Sequence, residues 1–257
     1  VETLDFLGKS IHLNGYDPNF VNLPVVDANG AGPVMRFTTH EDPNCRVTGF
    51  SLRGGWDDLA GGILCVNSAP TFDRCLIAGN RVSGPLGAAV HATDSFPSFE
   101  NCTIAENVGG AGIRLIRSQV IIANTIVWNN GPTDLHVTDG QPPKVSYSLL
   151  ESFWPGPGNL SADPLFARPG LWLNAEDPNL QQQPTHPEAL WLPGDYHPRS
   201  TTGRWHPQIQ TWLVDTQHSP AIDAGDPNSD LALEPPPHAD RINIGVYGGT
   251  QQASKSE

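Results

Sequence analysis

One phrase returns three times within about fifty residues: "CLIAGN" at 75–80, "CTIAEN" at 102–107 and "NTIVWNN" at 124–130. Aligning on it aligns the surroundings. "GGILCVNSAPTFDRCLIAGN" (61–80) matches "GAAVHATDSFPSFENCTIAEN" (87–107), then "GAGIRLIRSQVIIANTIVWNN" (110–130), and more loosely "TDLHVTDGQPPKVSYSLL" (133–150). "CRVTGFSLRGG" (45–55) reads as an earlier, degenerate copy. The marker positions Phe50, Cys75, Cys102, Asn124 and Ser148 are spaced by 25, 27, 22 and 24 residues. A fixed period of this size implies stacked, equivalent units.

Each unit holds two apolar pairs with strand alternation, such as Ile63/Cys65 and Cys75/Ile77, and a lone bulky residue such as Phe72. Gly, Asn, Asp, Ser and Pro separate them, as turns require. With 26 Gly and 25 Pro, the composition also argues against helices. Three short strands per repeat predict an all-β chain: a single-stranded, right-handed parallel β-helix in which each residue stacks on its equivalent about 4.8 Å away. A leucine-rich repeat has a similar period but needs a Leu consensus that is missing. A β-sandwich does not repeat side-chain types at fixed offsets.

Five columns follow. Ile63, Val90, Ile113 and Leu135 form the first, and Cys65, Ala92, Leu115 and Val137 the second. Phe72, Phe99, Ile121 and Val145 form the third; Ile77, Ile104, Ile126 and Leu150 the fourth; Cys75, Cys102, Asn124 and Ser148 the fifth. Asn80, Asn107 and Asn129 are expected to bond one another at a turn.

The chain divides into rungs over 1–152, Trp- and Pro-rich loops folding back over 153–218, and a C-terminal capping segment over 219–257. Residues 1–44 read as further rungs, with a turn at Asp17-Pro18-Asn19. The middle segment carries five Trp, which supply packing area. The tail is read as a cap because open strand edges at a coil end invite aggregation.

"APTFDRCLIAGN" and "FPSFENCTIAEN" resemble the repeats of pectate-lyase-like surface proteins. "SADPLF", "GDYHPRSTTGRW", "SPAIDAGDP" and "RINIGVYGGTQQASKS" resemble the closing module of large exported proteins of planctomycete-type bacteria, and "LDFLGKSIHL" their first rung. The resemblance implies this fold and an extracellular or cell-surface location, and no assigned activity. Residues 171–193 form an extra loop outside it.

A net charge of −13 repels nucleic acid and anionic lipid, so neither is expected as a partner. No stretch is long and apolar enough for a membrane span. A chain beginning at Val1 is what processing of an exported protein would leave, and equally what an artificially chosen start would give. The four Cys lack CxxC spacing; Cys75 and Cys102 are expected as free thiols, while Cys45 and Cys65 either pair or stay free.

Candidate sites are few. His91, Arg114 and His136 stack outward with Leu64, and Arg117 lies nearby; together they suit an acidic sugar. Asp73 and Glu100 stack one rung apart, the separation of a retaining glycosidase pair, although repeat position alone explains them. Asp57 and Asp58 are equally uncommitted. Asp223, Asp226, Asn228 and Asp230 partly match a calcium loop, but Leu231 replaces its Gly and the twelfth-position Glu is missing.

Two functions remain. The leading one is a non-catalytic surface rod, structural or adhesive, that self-associates end to end through its strand edges. The alternative is a carbohydrate-active enzyme, polysaccharide lyase or glycoside hydrolase, or a sugar-binding module for cell-surface polysaccharide. Its groove would run along the His91 column under the Trp-rich loops.

Overall fold

The computed structural model describes residues 3–15, 22–177, 179–184, 186 and 188–256. Asp17-Pro18-Asn19 lies outside them. Three six-stranded parallel sheets wind into a β-solenoid of about five turns, with no helix among the described residues. Leu4–Asp5, Met35–Phe37, Ile63–Val66, Gly87–Thr93, Ala111–Ile116 and Leu135–Thr138 make the first sheet. His12–Asn14, Arg46–Thr48, Thr71–Asp73, Ser98–Glu100, Ile121–Ala123 and Lys144–Ser146 make the second. Val25–Asp27, Ser51–Arg53, Leu76–Ala78, Thr103–Ala105, Ile126–Trp128 and Leu149–Leu150 make the third.

The first two columns lie as expected: Ile63–Val90–Ile113–Leu135 and Cys65–Ala92–Leu115–Val137. The other three are corrected by one residue in the 110–130 copy. Phe99 pairs with Ile122, not Ile121, and Ile122 with Val145. Ile104 pairs with Val127, not Ile126, and Val127 with Leu150. The Cys column continues through Thr125, not Asn124. The amides of Cys75, Cys102 and Thr125 donate to Cys102 Sγ (3.4 Å), Thr125 Oγ1 (3.1 Å) and Ser148 Oγ (3.1 Å). Asn124 instead joins Arg74, Asn101 and Tyr147 at a left-handed turn position.

The amide ladder runs Asn80–Asn107–Asn130, with Asn130 in the place expected for Asn129. Asn80 Nδ2 donates to Asn107 Oδ1, and Asn107 Nδ2 to Asn130 Oδ1, each at 2.9 Å.

Two regions end up elsewhere than expected. The tail runs along the flank of the coil. Ala221, Ile244 and Val246, with Phe166 and Tyr196, pack on Leu76, Ala78, Ala105, Ile126 and Leu149, the outward residues of the third sheet. Val246 N donates to Thr103 Oγ1 (3.1 Å) and Gly245 N to Asn124 O (2.8 Å). The C-terminal end of the coil is covered by residues before the tail: Trp154 packs on the core, and Leu160 bridges to Leu149.

The middle segment holds more strand than its sequence suggests. Leu171–Asn174 pairs antiparallel with Ala189–Leu192, and Arg204–His206 with Thr211–Leu213. Each hairpin places two Trp directly opposite one another across its strands, Trp172 with Trp191 and Trp205 with Trp212, with tilted or edge-on rings.

Candidate functional site

Leu64, His91, Arg114 and His136 do stand in one outward register. Their exposure differs: His136 is exposed and Arg114 partly exposed, but His91 is buried. His91 is only 6% exposed, and its Nε2 lies 3.2 Å from Thr93 Oγ1. Burial, then the neighbouring Arg114 charge, lowers the His91 pKa and keeps the ring neutral at pH 7. Arg117 is spent on a two-point pair with Asp94, at 2.8 and 2.6 Å.

Asp73 and Glu100 are register neighbours. Asp73 is held by Arg74 (3.0 Å), Arg46 (3.7 Å) and Asn101 (3.2 Å), a structural use that leaves Glu100 alone. Asp57 caps Leu59 N (2.9 Å), and Asp58 accepts from Ser83 (2.7 Å).

Asp226 and Asp230 cap their own turns, accepting from Asn228 N and Ala232 N, each at 2.9 Å. Among the described residues no three His, Cys, Asp or Glu side chains gather in a metal-holding group. Asp223, Asp226 and Asp230 therefore do not converge, and the Asn228 side chain bonds to Asp226 at 2.9 Å. All four Cys are free and buried, with burial pushing the Cys65 and Cys102 thiols upward.

The residues that do converge lie elsewhere. Trp56–Asp57 and Arg81–Val82 form a small parallel side sheet that sets Arg81 one rung from Trp56. The guanidinium lies 3.9 Å from the Trp56 ring centre and 5.3 Å from that of Trp172. Its Nη1 donates to the carbonyls of Pro184 (2.9 Å) and His186 (2.8 Å). Arg81 thus fastens the extra loop to the coil. It is only 8% exposed, and burial lowers its pKa.

The hairpin is seated from below as well. Trp191 lies against Gly79 and Gly170, where a Cβ would collide with the indole. Glu106 Oε2 accepts from Gly170 N (2.8 Å) and Tyr196 OH (2.5 Å). Trp172 and Trp191 stand 5.0 Å apart at 49°.

Between hairpin and coil is a cleft of about 410 Å³, within the roughly 300–1,000 Å³ of small-molecule sites. Trp56, Trp172 and Trp191 line it with Asp27, Asn29 and Arg53. Asp27 pairs with Arg53 at 2.9 Å and caps Asn29 N at 2.9 Å. All three indoles stay partly exposed.

Such a cleft offers flat apolar rings and a few oriented polar groups. Pyranose rings have the complementary surface: C–H faces with hydroxyls at the edge. Among the described residues the one carboxylate lining the cleft is Asp27, which is tied to Arg53, so they supply there no acid–base pair of the kind glycoside hydrolysis uses. The Trp platforms expected over the His91 column stand elsewhere: Trp172 lies over Arg81, and Trp191 lines the same cleft. The usable signals were "GGWDD" and the paired Trp of "LWLN" and "ALWLP".

The chain matches no protein-family model, no curated protein and no solved structure.

Proposed function

We propose that this chain is a non-catalytic, exported cell-surface β-solenoid of the pectate-lyase-like, planctomycete-type group that binds saccharide on its flank. The observation that carries the reading is the grouping of Trp56, Trp172 and Trp191 around Arg81, beside the Asp27–Arg53 pair. The coil supplies a rigid base, and the hairpin completes the cleft. Adhesion, rather than turnover, fits a site with one neutralised carboxylate. End-to-end polymerisation has less support, because residues 154–160 cover two of the three sheets at one end.

The test is binding of the purified chain to immobilised homopolymers of glucose, mannose, xylose and galacturonate. At least one polymer should bind without being cleaved, and Trp56→Ala should weaken that binding by about tenfold or more, the usual scale of losing one good contact. Retention of binding in Trp56→Ala, or no binding to any polymer, overturns the proposal.

A further inference from the structure

The extra loop does more than close the cleft. On another surface of Trp172 lies a second cavity of about 570 Å³, lined by Gly170, Leu171, Gln181, Gln182 and Gln183. Trp172 is common to both cavities. We propose that this second cavity is an uncharged subsite, so that the protein takes a saccharide chain running past Trp172 rather than a single sugar. This deepens the proposed function and rests on it.

The glutamines carry the argument. Their backbone is fixed: Gln181 bridges to Leu173, and Gln182 N donates to Trp172 O at 2.9 Å. Gln182 Oε1 is used by Gln183 N at 3.0 Å. The side-chain amides of Gln181 and Gln183 are exposed and make no hydrogen bond within the described residues. An amide both donates and accepts, as a sugar hydroxyl does. Two free amides on a backbone tied to the Leu171–Asn174 strand, beside an indole, form a sugar-edge reader. Among the described residues no charged side chain lines this cavity, in contrast to the Asp27, Arg53 and Arg81 of the first. The polar division matches a chain whose successive units meet different surroundings.

The experiment is calorimetric titration of the full chain with mono-, tri- and hexasaccharides of the glucan, mannan, xylan and galacturonan series. The expected result is one series in which the hexasaccharide binds about tenfold or more tighter than the trisaccharide. Gln181→Ala/Gln183→Ala should reduce hexasaccharide affinity to the trisaccharide level and leave trisaccharide binding unchanged. A merely statistical gain from longer chains would survive that double variant. Equal affinity for both lengths, or a double variant that behaves as wild type, removes the second subsite and leaves the first cleft standing. No binding in any series removes both.

Discussion

Phe72 and Phe99 stack one rung apart, with ring centroids separated by 5.0 Å and planes 10° from parallel. Phe37 meets Phe72 edge-on at 5.6 Å, and Phe6 stacks on Phe37 at 4.7 Å. Four aromatic rings thus continue from the first turn into the middle of the coil, and each is buried. In a solenoid each turn contacts only its neighbours, so such a file links turns that otherwise share little.

The file makes register measurable. Phe99→Ala should cost about 3–5 kcal/mol, the usual range for an emptied aromatic core site. Ile121→Ala should cost less than about 0.5 kcal/mol, because Ile121 is 48% exposed and outside the file. Urea midpoints of the two variants check the contrast. A large loss at Ile121 would mean the register is one residue off.

Asn107 is the centre of the amide ladder. Its Nδ2 donates to Ile77 O (2.9 Å), Ala105 O (3.1 Å) and Asn130 Oδ1 (2.9 Å). Its Oδ1 accepts from Asn80 N (3.1 Å) and Asn80 Nδ2 (2.9 Å). Asn107→Ala strands several buried groups at about 1–3 kcal/mol each, so the total loss should exceed that of a single core methyl group. Thermal melts should show a larger drop for Asn107→Ala than for Asn129→Ala, since Asn130 and not Asn129 is the ladder member.

These contrasts also show what the sequence made legible. The repeat alone specifies a coil, its three strands per turn and its first two columns, because His91 separates Val90 from Ala92 and Arg114 separates Ile113 from Leu115, which fixes the face that turns inward. The 110–130 copy is different. Ile121-Ile122, Ile126-Val127 and Asn129-Asn130 are doublets, so a one-residue shift leaves residue type unchanged while reversing the face. The third sheet worsens the ambiguity: the C-terminal segment buries its outer face, so Ile126 and Val127 are both inside and alternation disappears. The cleft was illegible for another reason. It joins Trp56 and Arg81 of the coil to a hairpin far along the chain, and no local pattern records that contact.

Acidity should affect stability through Glu234. It is buried, and its Oε1 accepts from Asn243 N (2.8 Å) and Gly249 N (2.7 Å). Burial, assisted by nearby Asp223, raises its pKa from 4.5 to about 7. Asp134, also buried, is raised from 3.8 to about 6. A carboxyl raised on folding holds its proton more tightly in the folded chain. That contribution is complete below the unfolded values and disappears as pH climbs through about 6 and 7. Stability should therefore fall between about pH 4 and 7, by up to roughly 3 kcal/mol from Glu234. Glu234→Gln keeps the acceptor oxygen and removes the titration, so its urea midpoint should vary less with pH than wild type over that window. An unchanged pH slope would show that Glu234 titrates normally.

The covered end of the coil separates binding from polymerisation. Leu150 N donates to Leu160 O (3.0 Å), Leu160 N to Ser148 O (2.8 Å), and Ser148 N to Asn159 Oδ1 (3.2 Å). Asn159 Nδ2 donates to Val145 O (3.0 Å), and Trp154 seals the core between them. The terminal strands of the second and third sheets thus find partners within their own chain. Leu135–Thr138 of the first sheet has a single neighbouring strand. An unpaired edge is a template for another chain. Asn159→Ala/Leu160→Pro removes the Asn159 side-chain bonds and the Leu160 N donor to Ser148 O, and leaves the rungs before them intact. This variant should form concentration-dependent oligomers in sedimentation velocity, under conditions where the wild-type chain sediments as one species. If the folded variant also stays a single small species, the 154–160 segment is not what keeps the ends apart. If wild type polymerises with its end covered, stacking runs through the Leu135–Thr138 edge. His136 would then meet Asp5 of the next copy, because both belong to the same outward column.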